Sequence, residues 1–260
     1  MSNAATVESL VEELRALGVR DGDTVMVHAS LRRVGPVVGR AAGLIAALDR
    51  ALGERGTSMM VLGSDDRVSP FHPLTAPPAP DVGVLAEVFR TSEGTLVSDN
   101  PEGRFAARGA RAAELLSDQP WDDYFGPGSP LEKLAAWGGR VLRLGADDET
   151  VTLMHLAEYL VSLPCEKRRV TRTREILLED GRIETRTVSG LEDENGIVEW
   201  PGEDYFALAM RAYRETGRVR SARVGRCEAE LLEAPDVLAF AVAWFGENLV
   251  ALHGADGPTS

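Results

Sequence analysis

The sequence predicts an α/β fold: a mainly parallel central sheet flanked by helices, with an antiparallel addition in the C-terminal third, residues 166–250. Three observations predict it. Two short apolar runs, "TVMVHAS" and "TSMMVLGS", are separated by one helix-length stretch, the pattern of a βαβ crossover joining parallel strands. A third run, "RVLRLGA", reads as another buried strand of the same sheet. Beyond residue 166, "RRVTRTREILLEDGRIETRTVSGL" alternates in twos around a "DG" turn, which marks a hairpin.

Taken in order, "TVESLVEELRALGV" carries apolar residues at helical spacing behind a threonine cap, and "RDGD" turns the chain into the first strand. "GRAAGLIAALDRALGERG" is the crossover helix, stopped by glycine. Residues 65–82, "DDRVSPFHPLTAPPAPDV", hold five prolines and no periodicity. A long irregular excursion inside a compact body usually carries function. "GVLAEVFRT" returns to helix, "TLVSD" is a brief strand, and "RFAARGARAAELLSD" passes from strand to helix. In "WDDYFGPGSPLEKLAAWGG", Ser129 is an N-cap with Pro130 at the first helical position. "TLMHLAEYL" forms a helix directly after the "DDET" turn. "DYFALAMRAYRETG" and "APDVLAFAVAWFGENLVAL" are helices with one short strand, "RVRSARVGRCEAELL", between them. No repeat or flexible linker interrupts the chain, so a single domain over 1–260 is expected, with 166–250 as its elaboration.

Composition narrows the function. There are 41 acidic against 28 basic residues, a formal charge of −13. Such a field repels nucleic acid and anionic membrane and attracts cations. Solubility and a polycationic substrate both account for it. No run of about eighteen apolar residues is present to span a bilayer, and the N-terminus lacks the basic start and apolar run of a signal peptide. Two cysteines, Cys165 and Cys227, lie far apart without metal-ligand spacing. They fit a reducing cytoplasm.

Three stretches could carry chemistry. In "VHASLRRVGPVVGR" a strand ends at His28-Ala29-Ser30, and arginines and glycines lead into a helix. Strand carboxyl ends and free backbone N–H groups suit a phosphate there, with Arg32 and Arg33 adding charge. An ordinary strand-to-helix loop fits the same residues. In "GSDDRVSPFHP", Asp65 and Asp66 follow a strand end, where an amine, a sugar hydroxyl or a metal could be held. The histidines form no HxH or HExxH pair, so no metal is expected. In "DDETVTLMHLAEYL", His155 and Glu158 share a helical face and Glu149 lies six residues upstream. A carboxylate on one imidazole nitrogen fixes the tautomer that lets the other act as a base. A surface ion pair has the same spacing.

These pieces, in this order, resemble the aminoglycoside 3-N-acetyltransferases, antibiotic-resistance enzymes that use acetyl-coenzyme A. The resemblance runs from about Leu10 to Leu249. It rests on "GVRDGDTVMVHASLRRVG", "PFHPLTAPPAPDVGVLAEVFR", "SDNPEGRFAARG", "WDDYFGPGSPLEKL", "RVLRLGADDETVTLMHLAEYL" and "GEDYFALAMRAY". It implies the antibiotic N-acetyltransferase fold rather than the GNAT fold, acetyl-CoA as co-substrate and an aminoglycoside as acceptor. By that likeness, His28, Ala29, Ser30, Leu31, Arg32, Val34 and Gly35 hold the coenzyme pyrophosphate and pantetheine. His155 is then the general base, with Glu149 or Glu158 orienting it. Asp65 and Asp66 fall where relatives place acids facing the antibiotic, and the acidic run from Glu192 to Asp204, with Glu199, Glu203 and Asp204, would collect the polycation. Many relatives read HPxxS where this chain has Asn100-Pro101-Glu102-Gly103-Arg104. An oxyanion contact would then come from Arg104, or from backbone N–H groups near Phe105 or Ser30. A monomer or a homodimer is expected. The rival readings are a family member acting on a different amine metabolite and a non-catalytic coenzyme-binding relative.

Overall fold

The structure, a computed structural model, describes residues 4–65, 67–161, 169–191 and 203–250. Helix α1 (Val7–Leu17) leads to β1 (Thr24–Ala29), a single turn α2 (Leu31–Val34), the longer α3 (Arg40–Leu52) and β2 (Thr57–Val61). After the proline-rich excursion come α4 (Val84–Arg90), β3 (Leu96–Val97), β4 (Phe105–Gly109), α5 (Ala112–Leu116), α6 (Pro130–Ala136), β5 (Arg140–Leu144) and α7 (Met154–Leu160). The C-terminal third adds β6 (Arg169–Leu177), β7 (Ile183–Leu191), α8 (Tyr205–Glu215), β8 (Arg220–Val224), β9 (Cys227–Glu233) and α9 (Ala234–Phe245).

The main sheet has the order β3-β4-β2-β1-β5-β9-β8. Its centre is the expected parallel body, with β1 parallel to both β2 and β5. Antiparallel strands extend it on both sides, β4 and β3 beyond β2, β9 and β8 beyond β5. Because the chain leaves β1 to add β2 on one side and later returns to add β5 on the other, the carboxyl end of β1 is a switch point, where open α/β sheets form their ligand crevice. β6 and β7 pair in a separate hairpin around Asp180-Gly181, as the alternation predicts. Phe71 of the proline-rich excursion bridges to Ile176 and so docks that hairpin against the body.

Alternation along the central strands builds two apolar layers. Val25, Val27, Leu142 and Leu144 pack toward α1, α3 and α4. Met26, Met59, Val141 and Leu232 pack toward α6, α7, α8 and α9. Leu10, Leu14, Leu44 and Leu131 are wholly inaccessible, each worth about 1.5–3 kcal/mol of burial. Local signals set the helix starts. Thr6 and Ser9 form a reciprocal capping box at α1. At α6, Ser129 accepts from the Glu132 N–H and Pro130 occupies the first helical position.

One expectation is corrected. "RVRSARVGRCEAELL" is not one strand but a tight hairpin, β8 and β9, turning at Gly225-Arg226 with Gly225 at φ +60°. Its two strands extend the main sheet at the β5 edge, so the antiparallel addition enlarges the body as well as decorating it.

Candidate active site

The carboxyl ends of β1, β2 and β5 open into a cleft of about 680 Å³. Its walls are His28 to Arg32, the stretch Asp81 to Ala86 at the start of α4, and the turn after β5 that carries Asp147, Glu149 and Thr150. Phe125 and His155 close it.

His155 sits in the first turn of α7, whose Met154, Leu156, Ala157 and Glu158 are buried. Its ring stacks on Phe125, with centroids 5.1 Å apart and planes at 16°, and is tilted against Phe206 at 4.7 Å. The His155 Nδ1 lies 2.8 Å from Glu158 Oε2. The imidazole is 27% exposed and the carboxylate 1%. With Nδ1 engaged, Nε2 is the nitrogen left for the cleft. Glu158 Oε1 accepts from the buried Tyr205 hydroxyl. Glu149 lines the cleft on the exposed turn ahead of the helix. Of the two carboxylates the sequence left open, the structure hydrogen-bonds Glu158 to the ring.

His28, Ala29, Ser30, Leu31 and Arg32 line the cleft, but Val34 and Gly35 do not. Val34, the last residue of α2, packs into the core. Gly35 caps that turn at φ +92°, where a Cβ would stand 2.7 Å from Arg226 Cδ, so the backbone and the close approach of Arg226 both favour glycine. Arg33 crosses to the β5 turn, donating to the Gly145 carbonyl at 2.8 Å and pairing with Asp147 at 2.6 Å. The Ser30 N–H donates to Leu144 O at 3.0 Å and the Phe105 N–H to Ser98 Oγ at 3.0 Å. The N–H groups of Ser30 and Phe105 themselves are therefore engaged within the fold.

Arg104 and Phe105 lie away from the cleft, both wholly buried. The Arg104 guanidinium donates to the carbonyls of Pro73 at 2.6 Å, Ala76 at 2.8 Å and Pro77 at 3.1 Å, and lies over the Phe71 ring. Prolines supply no N–H, so a proline-rich loop leaves carbonyls that an arginine fork can satisfy. Burial pulls this guanidinium down to about 10, still charged at neutral pH. In this arrangement it clamps the excursion that carries the Asp81–Ala86 wall.

The expected antibiotic-facing acids are mostly engaged with their own neighbours. Asp65 forms a fork with Arg67, at 2.8 and 2.6 Å, whose hydrogen bonds hold its carboxyl at about 2. Glu203 pairs with Arg211, which keeps its carboxyl low. Asp204 caps α8, accepting from the Phe206 and Ala207 N–H groups. None of the three lines the cleft. Asp66 and Glu199 lie outside the described residues. Among the described residues, no three His, Cys, Asp or Glu side chains cluster as metal ligands.

His28 is buried, its Nε2 without a hydrogen-bond partner among the described residues. Burial, then the positive charge of Arg143 and His155, pushes its imidazole down to about 3. It is neutral throughout the physiological range. The unfolded chain therefore binds a proton below pH 6.5 that the folded one refuses down to about 3, and stability is lost as pH falls through that window. His28→Gln is expected to remove about 2 kcal/mol of the loss incurred between pH 7 and pH 5. Urea unfolding of both proteins at the two pH values checks this, and parallel losses would refute it.

Phe125 and Asp147 line the cleft and Tyr205 stands behind it on Glu158, and local sequence assigns none of the three a role. Tyr205 is 47 positions from Glu158, so no local spacing links them.

An imidazole–carboxylate pair at a cleft on the carboxyl ends of parallel strands is the layout of an α/β enzyme. A family model described as aminoglycoside 3-N-acetyltransferase matches residues 26–246, and the chain belongs to that family. It is 38% identical to aminoglycoside N(3)-acetyltransferase VII of Streptomyces paromomycinus, over 95% of this chain and 94% of that one. The solved binary complex of AAC-IIIb with CoASH superposes with a TM-score of 0.89 at 35% identity, covering 94% of this chain and 97% of the other. AAC-VIa bound to sisomicin gives 0.87 at 32% identity, covering 94% and 98%.

Proposed function

We propose that the chain transfers the acetyl group of acetyl-coenzyme A to the 3-amine of a 2-deoxystreptamine aminoglycoside, by direct attack with His155 as general base. The observation that carries this reading is the His155 Nδ1–Glu158 hydrogen bond, which leaves Nε2 for a substrate in the cleft. An ammonium has no lone pair, so the acceptor reacts as the free amine and must shed a further proton as its C–N bond forms. His155 Nε2 takes that proton. Glu158 holds the ring in the Nδ1–H tautomer and stabilises the imidazolium. The tetrahedral intermediate then expels the coenzyme thiolate, which recovers the proton as the free thiol. Asp81 and Glu149 on the cleft wall, with the net charge of −13, draw a polycation toward this amine position.

We assign the coenzyme to the His28–Arg32 side of the same cleft. The relative solved with CoASH supports a coenzyme A co-substrate, and the relative solved with sisomicin supports an aminoglycoside acceptor. Among the described residues no helix is long and apolar enough to cross a membrane. A cytoplasmic site of action agrees with the coenzyme's location. Thiol release from acetyl-coenzyme A, followed with gentamicin, tobramycin, neomycin and apramycin, is the direct test. Release with at least one, and an acetylated 3-amine by NMR of the product, is expected. No release with any of the four would redirect the reading to another amine.

A further inference from the structure

We propose that Tyr205 is a positioning residue for the His155–Glu158 pair: its buried phenol pins the carboxylate and weakens the pair's hold on a proton. This role rests on His155 being the base. Glu158 is 1% exposed and its two oxygens are held from two sides, Oε2 by the His155 ring and Oε1 by the Tyr205 hydroxyl. Rotation of the carboxylate would break one bond or the other.

Tyr205 is itself fixed. It begins α8, whose first turn is anchored by Asp204 accepting from Phe206 N–H at 2.7 Å and Ala207 N–H at 3.2 Å. Its ring meets Phe206 edge-on at 5.0 Å and Phe245 at 5.5 Å. Phe206 in turn lies against the His155 ring. An element more than forty residues downstream thus sets the carboxylate that sets the imidazole.

The electrostatic consequence has a definite sign. A hydrogen bond to the carboxylate stabilises it most when the imidazole is neutral and the anion is uncompensated. Removing the phenol destabilises that state more than the imidazolium–carboxylate state. The pair then takes up a proton more readily, and the base form is lost at a higher pH. Among the described residues, the other titratable groups facing the pair are Glu149 across the cleft, His28 from β1 and Tyr159 on α7, with Asp123 near Tyr159. All are common to the two proteins compared, so the difference isolates the hydroxyl.

Tyr205→Phe keeps the ring packing and deletes only the donor. Its kcat/KM for thiol release at pH 7 is expected to fall about tenfold, with the acid limb of the pH profile displaced upward by about one unit. Ring-proton NMR of the histidines, with His155 assigned by its absence in His155→Gln, should show the same upward displacement without any turnover. Tyr213→Phe is the control. That hydroxyl donates to Asp236 Oδ2 at 2.6 Å from a ring that is also buried, so the variant loses stability but moves neither titration. If Tyr205→Phe does not fold, Asp204→Ala, which loosens the start of α8, must displace the titration in the same direction. An unmoved acid limb and unmoved ring titration in a folded Tyr205→Phe would overturn the role, whatever the fall in Tm. If the parent acetylates no aminoglycoside, the functional reading fails, and the ring titration still decides the role of Tyr205.

Discussion

His155→Gln is expected to lower kcat for acetyl transfer by ~10²–10⁴-fold, the range for loss of a general base. Coenzyme affinity should stay within about threefold of the parent, because the loop His28–Arg32 is untouched. The fall belongs in kcat: proton removal is a demand of the transition state, and binding of the acceptor does not require it. Glu158→Gln should cost a large part of the same factor, since an amide can donate to Nδ1 and favour the wrong tautomer. Glu149→Gln separates the two carboxylates. Glu149 lies on the exposed cleft wall and makes no contact with the ring that the geometry requires, so its removal should raise the acceptor KM and leave kcat within about threefold. Single-turnover rates with isothermal titration of coenzyme A distinguish these patterns. Near-parental kcat in His155→Gln would leave the ring as a packing group between Phe125 and Phe206.

The parallel centre was legible because strands covered on both faces tend to write themselves as apolar runs, as β1 does with "TVMV", and β5 keeps the signal in Val141, Leu142 and Leu144 despite two buried arginines. The β6–β7 hairpin was legible for the opposite reason: one face is exposed, so its alternation survives in the sequence. The β8–β9 hairpin was not, because Gly225-Arg226 is a weak turn signal and the apolar residues of Cys227–Glu233 continue the preceding pattern. At the site, the His155–Glu158 contact follows from helical spacing alone. Arg104 could not be placed that way. Its partners are carbonyls about thirty residues upstream, and nothing in "NPEGRF" separates a buried clamp from a ligand contact. Asp204 carried two competing signals, an acid in an acidic run and an N-cap before an apolar helix. Capping chemistry decided its position.

Glu230→Ala is the second large effect expected, a loss of ~3–5 kcal/mol, the cost of stranding a buried charge. Glu230 of β9 stands directly across from Arg143 of β5, and the two side chains form a buried ion pair. Arg143 is 1% exposed and Glu230 9%. Burial pushes the Arg143 guanidinium below its usual range, with Glu230 the main opposing influence. Removing the carboxylate leaves that charge with Asp148, 3.8 Å away, and the Asp147 carbonyl at 2.7 Å. Arg214 also loses one partner and, among the described residues, keeps Asp148, at 2.6 Å. At ~2–4 °C per kcal/mol for a chain of this size, the Tm should fall by roughly 6–20 °C. Added salt should not restore it, since a buried pair is weakly screened. The damage should also reach the cleft. Arg143 and Arg214 grip the turn Asp147-Asp148, which holds Glu149 on the cleft wall and leads into the helix bearing His155. The double variant Arg143→Met/Glu230→Leu replaces the pair by apolar groups of similar volume, and it should recover most of the lost Tm because no charge is stranded. A Glu230→Ala protein melting within 2–3 °C of the parent, or a double variant no better than the single one, would show that this rung of the sheet is solvated rather than buried.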